Sequence, residues 1–74
     1  MKQLTQAIFK GAPNWVKSAA VNSNGRAYFY PVEKSELTFS QGFWFMNYGA
    51  YSPLAGIDFD GTDCKNSAID REFN

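Results

Sequence analysis

Ser18-Ala19-Ala20-Val21-Asn22-Ser23-Asn24-Gly25-Arg26-Ala27-Tyr28-Phe29-Tyr30 is the stretch from which the architecture follows. Asn24-Gly25 tolerates the positive φ angles of a tight type I′ turn, and both flanks are short strand-like runs ending in aromatics. Residues 18–30 therefore read as a β-hairpin. With a two-residue loop, Val21 faces Tyr28 and Ala19 faces Tyr30 on one side, while Ala20 faces Phe29 on the other. A four-residue loop from Asn22 to Gly25 shifts this pairing by about one residue. Either way small residues sit opposite large rings, which lets a sheet carry aromatics without overpacking.

Pro31 ends the second strand because it cannot donate to a ladder. Val32-Glu33-Lys34-Ser35-Glu36 is a polar connection. The run Leu37-Thr38-Phe39-Ser40 begins strand-like, breaks at Gln41-Gly42 and resumes as Phe43-Trp44-Phe45-Met46, an unbroken apolar run that reads as a strand buried on both faces. Asn47 to Gly56 contains two Gly and one Pro and reads as a loop, with Tyr48, Tyr51 and Leu54 folding back over the sheet. Near the N-terminus, Leu4, Ala7 and Ile8 have helical spacing, but Gly11 and Pro13 stop anything longer than about two turns. Asp63 is placed to cap a short C-terminal helix reaching Phe73, with Ala68 and Ile69 as its apolar face. The expected fold is mainly β, with a small α+β arrangement as the alternative. Its centre is an antiparallel sheet of three or four strands built on the hairpin and the strand around 43–46, with short helical turns at the termini. No repeat or linker divides the chain, so residues 1–74 form one small domain.

Seventy-four residues make a thin core, since a domain of this size buries only roughly 60% of its unfolded surface. Seven Phe, four Tyr and two Trp are the natural substitute for staples in so small a scaffold. Cys64 is the one cysteine and the chain has no His, which excludes an internal disulfide and the usual tetrahedral Cys/His zinc site. No cofactor or metal is expected, and the lack of disulfides fits a reducing cytoplasm. No run approaches the roughly 20 apolar residues of a membrane span, and the first residues lead into no signal-type segment. Formal charge is zero, but residues 1–31 carry Lys2, Lys10, Lys17 and Arg26 with no acid, whereas from Asp58 onward acids outnumber bases. Two readings stand: the ends attract each other across the fold, or a basic face awaits an acidic partner.

Ile57-Asp58-Phe59-Asp60-Gly61-Thr62-Asp63 matches the D-x-D-G-T opening of the haloacid-dehalogenase-like phosphatases, whose first Asp attacks a phosphoryl group. There the motif ends a buried parallel strand, and later strands supply the lysine, hydroxyl and metal-binding acids. Here twelve residues follow Thr62, and Pro53 and Gly56 interrupt the approach. A carboxylate without those partners cannot stabilise a transferring phosphoryl group. An EF-hand fails too, because from Asp58 glycine falls at position 4 and Ile69 at position 12. The segment reads as a turn in which Asp60-Gly61 supplies a positive-φ residue and the acids accept local N–H bonds. No other nucleophile has an activating partner, so no catalytic residue is assigned.

Ile8-Phe9-Lys10-Gly11-Ala12-Pro13-Asn14-Trp15, then Ala19-Ala20-Val21, then Gly25-Arg26-Ala27-Tyr28-Phe29-Tyr30, resembles a group of small proteins encoded by tailed phages and enterobacterial prophages. Their shared pattern is I-F-K-G-A-P-x-W, a short gap, A-x-V, a turn ending in Gly and an aromatic strand. A later D-W-x-N-S-L-x-x-R segment is similar to Asp63 to Arg71, with Cys64 in the Trp place and Ala68 in the Leu place. The resemblance covers about half the chain and carries no catalytic signature. It implies an accessory phage protein that binds, and in some cases inhibits, host machinery.

The leading expectation is thus a non-enzymatic, cytoplasmic binding protein whose partner is a host protein, with a homodimer as a further option and no membrane association. The alternative is weak nucleic-acid binding through the basic N-terminal half and exposed aromatics, which zero net charge disfavours. A sheet with two faces and no long helices leaves some rings at the surface, and rings there mark an interaction site. Tyr28 and Tyr30 are expected to border the binding surface with Tyr48 and Tyr51 beside them, while Phe29 and Trp44 belong to the core.

Overall fold

In the computed structural model, which describes residues 3–46 and 52–72, the hairpin forms as β1 (Ser18–Val21) and β2 (Ala27–Tyr30), paired antiparallel. Its turn differs from the two-residue reading. Gly25 N–H donates to the Asn22 carbonyl at 2.9 Å, Asn22 N–H donates to the Arg26 carbonyl at 2.9 Å, and Gly25 has φ +81°. This is a three-residue loop closed by a left-handed glycine, the G1-bulge solution. Val21 consequently lies opposite Ala27, Ala20 opposite Tyr28, Ala19 opposite Phe29 and Ser18 opposite Tyr30. The rule of small against large survives, but the faces are reassigned. Ala19, Val21, Ala27 and Phe29 share one face, and Ser18, Ala20, Tyr28 and Tyr30 the other.

The two-residue turn occurs instead at Gln41-Gly42. Both have positive φ, 51° and 85°, the requirement of type I′, and they join β3 (Leu37–Ser40) to β4 (Phe43–Met46). This pair is a separate two-stranded sheet, so the strand at 43–46 does not extend the first hairpin as expected. β5 (Leu54–Gly56), in the segment read as loop, and β6 (Ile69–Asp70) complete a four-stranded antiparallel sheet in the order β5-β2-β1-β6. The fold is mainly β. Its only helical pieces among the described residues are 3-10 turns at Gln6–Phe9, Lys34–Glu36 and Cys64–Asn66. The C-terminal helix expected up to Phe73 is therefore one turn followed by a strand.

Each face of the larger sheet is covered differently. On the face of Ala19 and Phe29 lies the N-terminal arm: Leu4, Ile8, Phe9 and Val16 pack there, and Phe9 stacks on Phe29 with ring centroids 6.2 Å apart. Phe29 is half-buried yet belongs to this core, as expected. Arg71 clamps the arm by donating to the Pro13 carbonyl at 2.8 Å with its guanidinium over the Phe9 ring. The opposite face, with Ser18, Ala20 and Tyr30 fully covered, meets the β3–β4 hairpin and the connection leading to it.

The sheet edges are managed by side chains. Gln6 donates to the Asp70 carbonyl at 2.7 Å and accepts Glu72 N–H at 3.0 Å, pairing with β6 as a strand would. Beyond the short β6, Ser67 Oγ takes the place of a ladder partner by accepting Val21 N–H at 2.9 Å.

Candidate interaction surface

The β1–β2 turn is the point on which three other segments converge. Asn22, almost fully buried, turns its carboxamide oxygen to accept the Trp44 peptide N–H at 2.8 Å. Ser23 N–H donates to the Gly42 carbonyl at 2.8 Å, and Phe59 N–H donates to the Gly25 carbonyl at 2.9 Å. Gly61 lies so close that a Cβ there would stand 2.5 Å from the Ser23 carbonyl oxygen.

The aspartate-rich segment is explained by that convergence. Phe59, only 5% exposed, is a core plug against Val21 and Ala27. Asp60 Oδ1 accepts both the Thr62 N–H and its hydroxyl, at 3.0 and 2.6 Å, and these bonds hold its carboxyl below the usual range. The expected left-handed residue of the segment is Asp58, φ 65°, and not Gly61. Glycine is needed at 61 for close approach to the hairpin turn. Among the described residues no three acidic or sulfur side chains are grouped to hold a metal ion. Ser23, Arg26, Ile57, Asp58 and Thr62 border an open groove of about 550 Å³ over this junction.

Trp44 clasps the second hairpin to the first. Its peptide N–H goes to Asn22, its carbonyl accepts the Tyr30 hydroxyl at 3.2 Å, and its indole N–H donates to the Cys64 carbonyl at 2.7 Å. The ring is partly buried and tilts against Phe39 at 5.2 Å. Both polar edges of its peptide can point away from β3 because Phe39 and Trp44 occupy a non-hydrogen-bonded pair in a two-residue hairpin.

Tyr30 departs from the expected quartet. It is 2% exposed, and burial, reinforced by the neighbouring Tyr28, pushes its phenol up to about 12. The cause is the β3–β4 hairpin, a separate sheet that covers the face Tyr30 shares with Ser18 and Tyr28. Tyr28 is half-buried on the same face. Tyr48 and Tyr51 lie outside the described residues.

Rings do reach the surface, but elsewhere. Phe43 and Phe45 are 47% and 46% exposed, against the expectation that residues 43–46 are buried on both faces. They project from the outer face of β4, with Ser40 and Thr38 as their cross-strand neighbours, while Trp44 and Met46 face the other way. The sequence held a signal for this: the alternation of Leu37-Thr38-Phe39-Ser40, once joined to a two-residue turn, makes the Thr38/Ser40 face the outer one. Trp15, Leu54 and Ile57 are the other large apolar residues at the surface among those described.

Compared with protein-family models, curated proteins and solved structures, the chain shows no significant match. Among the described residues no helix is long and apolar enough to cross a membrane.

Proposed function

We propose that this chain is a non-enzymatic, phage- or prophage-derived accessory protein that acts in the bacterial cytoplasm by binding, and inhibiting, a host protein, and that it docks through the outer face of the β3–β4 hairpin. The observation that carries this reading is the exposure of Phe43 and Phe45, two residues apart on one strand whose inner face is pinned by Trp44. A rigid backbone presenting adjacent aromatic rings loses little freedom on binding, which is how interface anchors gain affinity. The face formed by Thr38, Ser40, Phe43 and Phe45 carries no charge, which suits a protein surface better than a phosphate backbone. The phage setting rests on the resemblance of residues 8–30 and 63–71.

The test is affinity capture from host lysate with the chain and its Phe43→Ser, Phe45→Ser double variant. The expected result is one host protein retained by the first and lost by the second at unchanged melting temperature. Equal retention by both would overturn the assignment. Light scattering on the same samples reports the homodimer option.

A second reading, nucleic-acid binding, is favoured by one feature. Lys34, Lys65 and the edge of Trp44 line an open groove of about 500 Å³, together with the acidic Asp70. Binding through phosphates would weaken steeply with added salt, and a polyanion titration without that dependence removes this reading.

A further inference from the structure

We propose that Asn24-Gly25 is a latent backbone-rearrangement site, held shut by the fold, whose conversion to isoaspartate releases the β3–β4 hairpin and the Phe59 segment from the β1–β2 turn. Asparagine followed by glycine is the dipeptide in which the next peptide nitrogen most readily attacks the side-chain carboxamide, because glycine has no Cβ to obstruct closure. Asn24 is exposed at the tip of the hairpin, within reach of water.

The chemistry needs only that water. The Gly25 peptide nitrogen bonds to Asn24 Cγ, the bond from Cγ to the carboxamide nitrogen breaks, and ammonia leaves with the Gly25 amide proton. Water then opens the five-membered imide at either carbonyl, giving aspartate or isoaspartate. One ammonia is released, one water is consumed, and nothing is oxidised or reduced.

Three contacts oppose the first step. Gly25 N–H is committed to the Asn22 carbonyl at 2.9 Å, and Asn24 Oδ1 is engaged by Arg26 N–H at 3.1 Å. Gly25 itself is buried, with its carbonyl held by Phe59 N–H at 2.9 Å. Attack therefore requires the turn to open locally. Once the imide forms, its nitrogen has no hydrogen for Asn22, and isoaspartate adds a methylene to the main chain. Gly25 packs so closely on the Phe59 backbone that a Cβ there would stand 2.9 Å from the Phe59 carbonyl oxygen, so the added methylene displaces Gly25 from that seat. The seats for Trp44 N–H on Asn22, Gly42 on Ser23 and Phe59 on Gly25 are then lost together.

The experiment is peptide mapping by mass spectrometry of the purified full chain, aged in mildly alkaline buffer with and without denaturing urea. Conversion at Asn24 should be slower in the folded chain by about tenfold or more, as local opening limits it. Gly61→Ala, which crowds the Ser23 carbonyl, should speed conversion several-fold under native conditions. If that variant does not fold, the wild-type ratio alone decides. Equal rates in folded and unfolded wild type would overturn the proposal, as would an isolated isoaspartyl product that keeps the wild-type near-ultraviolet tryptophan signal.

Discussion

The carboxamide oxygen of Asn22 accepts the peptide N–H of Trp44 at 2.8 Å, joining the turn of the first hairpin to the middle of the second strand of the other. Asn22 is nearly fully buried and Trp44 half-buried, so this bond is partly shielded from water. Asn22→Ala leaves the half-buried Trp44 N–H without its acceptor, which costs about 1 kcal/mol, the low end for an unsatisfied donor. Urea denaturation followed by tryptophan fluorescence should show a loss of that size. A loss below about 0.5 kcal/mol, the usual range of surface substitutions, would mean that the two hairpins are held by other contacts.

Tyr30 gives the fold a defined alkaline limit. Burial disfavours the phenolate and pushes the folded phenol up to about 12 from the ordinary 10.0. Below the ordinary value the group is protonated in both states and its contribution is complete. As pH rises from there toward 12, the unfolded chain releases the proton first and stability falls. Denaturation midpoints across the alkaline range should decline in wild type and decline less in Tyr30→Phe. Identical profiles would place the phenol in water.

Gly61→Ala tests why glycine stands in the aspartate-rich segment. Gly61 has no left-handed φ, so a conformational argument predicts almost no effect, whereas a Cβ 2.5 Å from the Ser23 carbonyl predicts steric displacement. Overpacking against backbone costs about 1–3 kcal/mol, measurable as a lowered melting temperature. An unchanged melting temperature would show that the turn yields freely.

Phe9, 4% exposed, bridges the N-terminal arm and the sheet through its stack on Phe29. Phe9→Ala should destabilise by about 3–5 kcal/mol, most of the margin of so small a domain. Thermal scans should show a greatly lowered transition or none, and a cost near 1 kcal/mol would mean that the arm contributes little to the core.

Much of the fold was legible in residues 18–30, because Asn24-Gly25 between two strand-like runs admits few alternatives to a hairpin. Loop length was not, since the same dipeptide serves a two-residue I′ turn and a three-residue turn with a G1 bulge. What selects the longer form is tertiary: Asn22, Ser23 and Gly25 are each claimed by a distant segment. The choice moves every pairing by one, and Tyr30 passes from an expected surface into the core because the separate second hairpin covers its face. Gln41 concealed the true I′ turn because a residue with Cβ seldom adopts positive φ. Phe43 and Phe45 were hidden by their company, an apolar run whose alternation shows only when read with Thr38 and Ser40 across the turn.

Contact between the outer face of the second hairpin and a host protein, as proposed above, can be captured in the cell by site-specific photocrosslinking. A benzophenone amino acid is placed at position 45, or at exposed Lys10 as the comparison, in chains expressed in the host and irradiated before lysis. The expected result is one discrete crosslinked host protein from position 45 and none from position 10. Crosslinks from position 10 alone, or none from position 45 in a chain that folds normally, would contradict it.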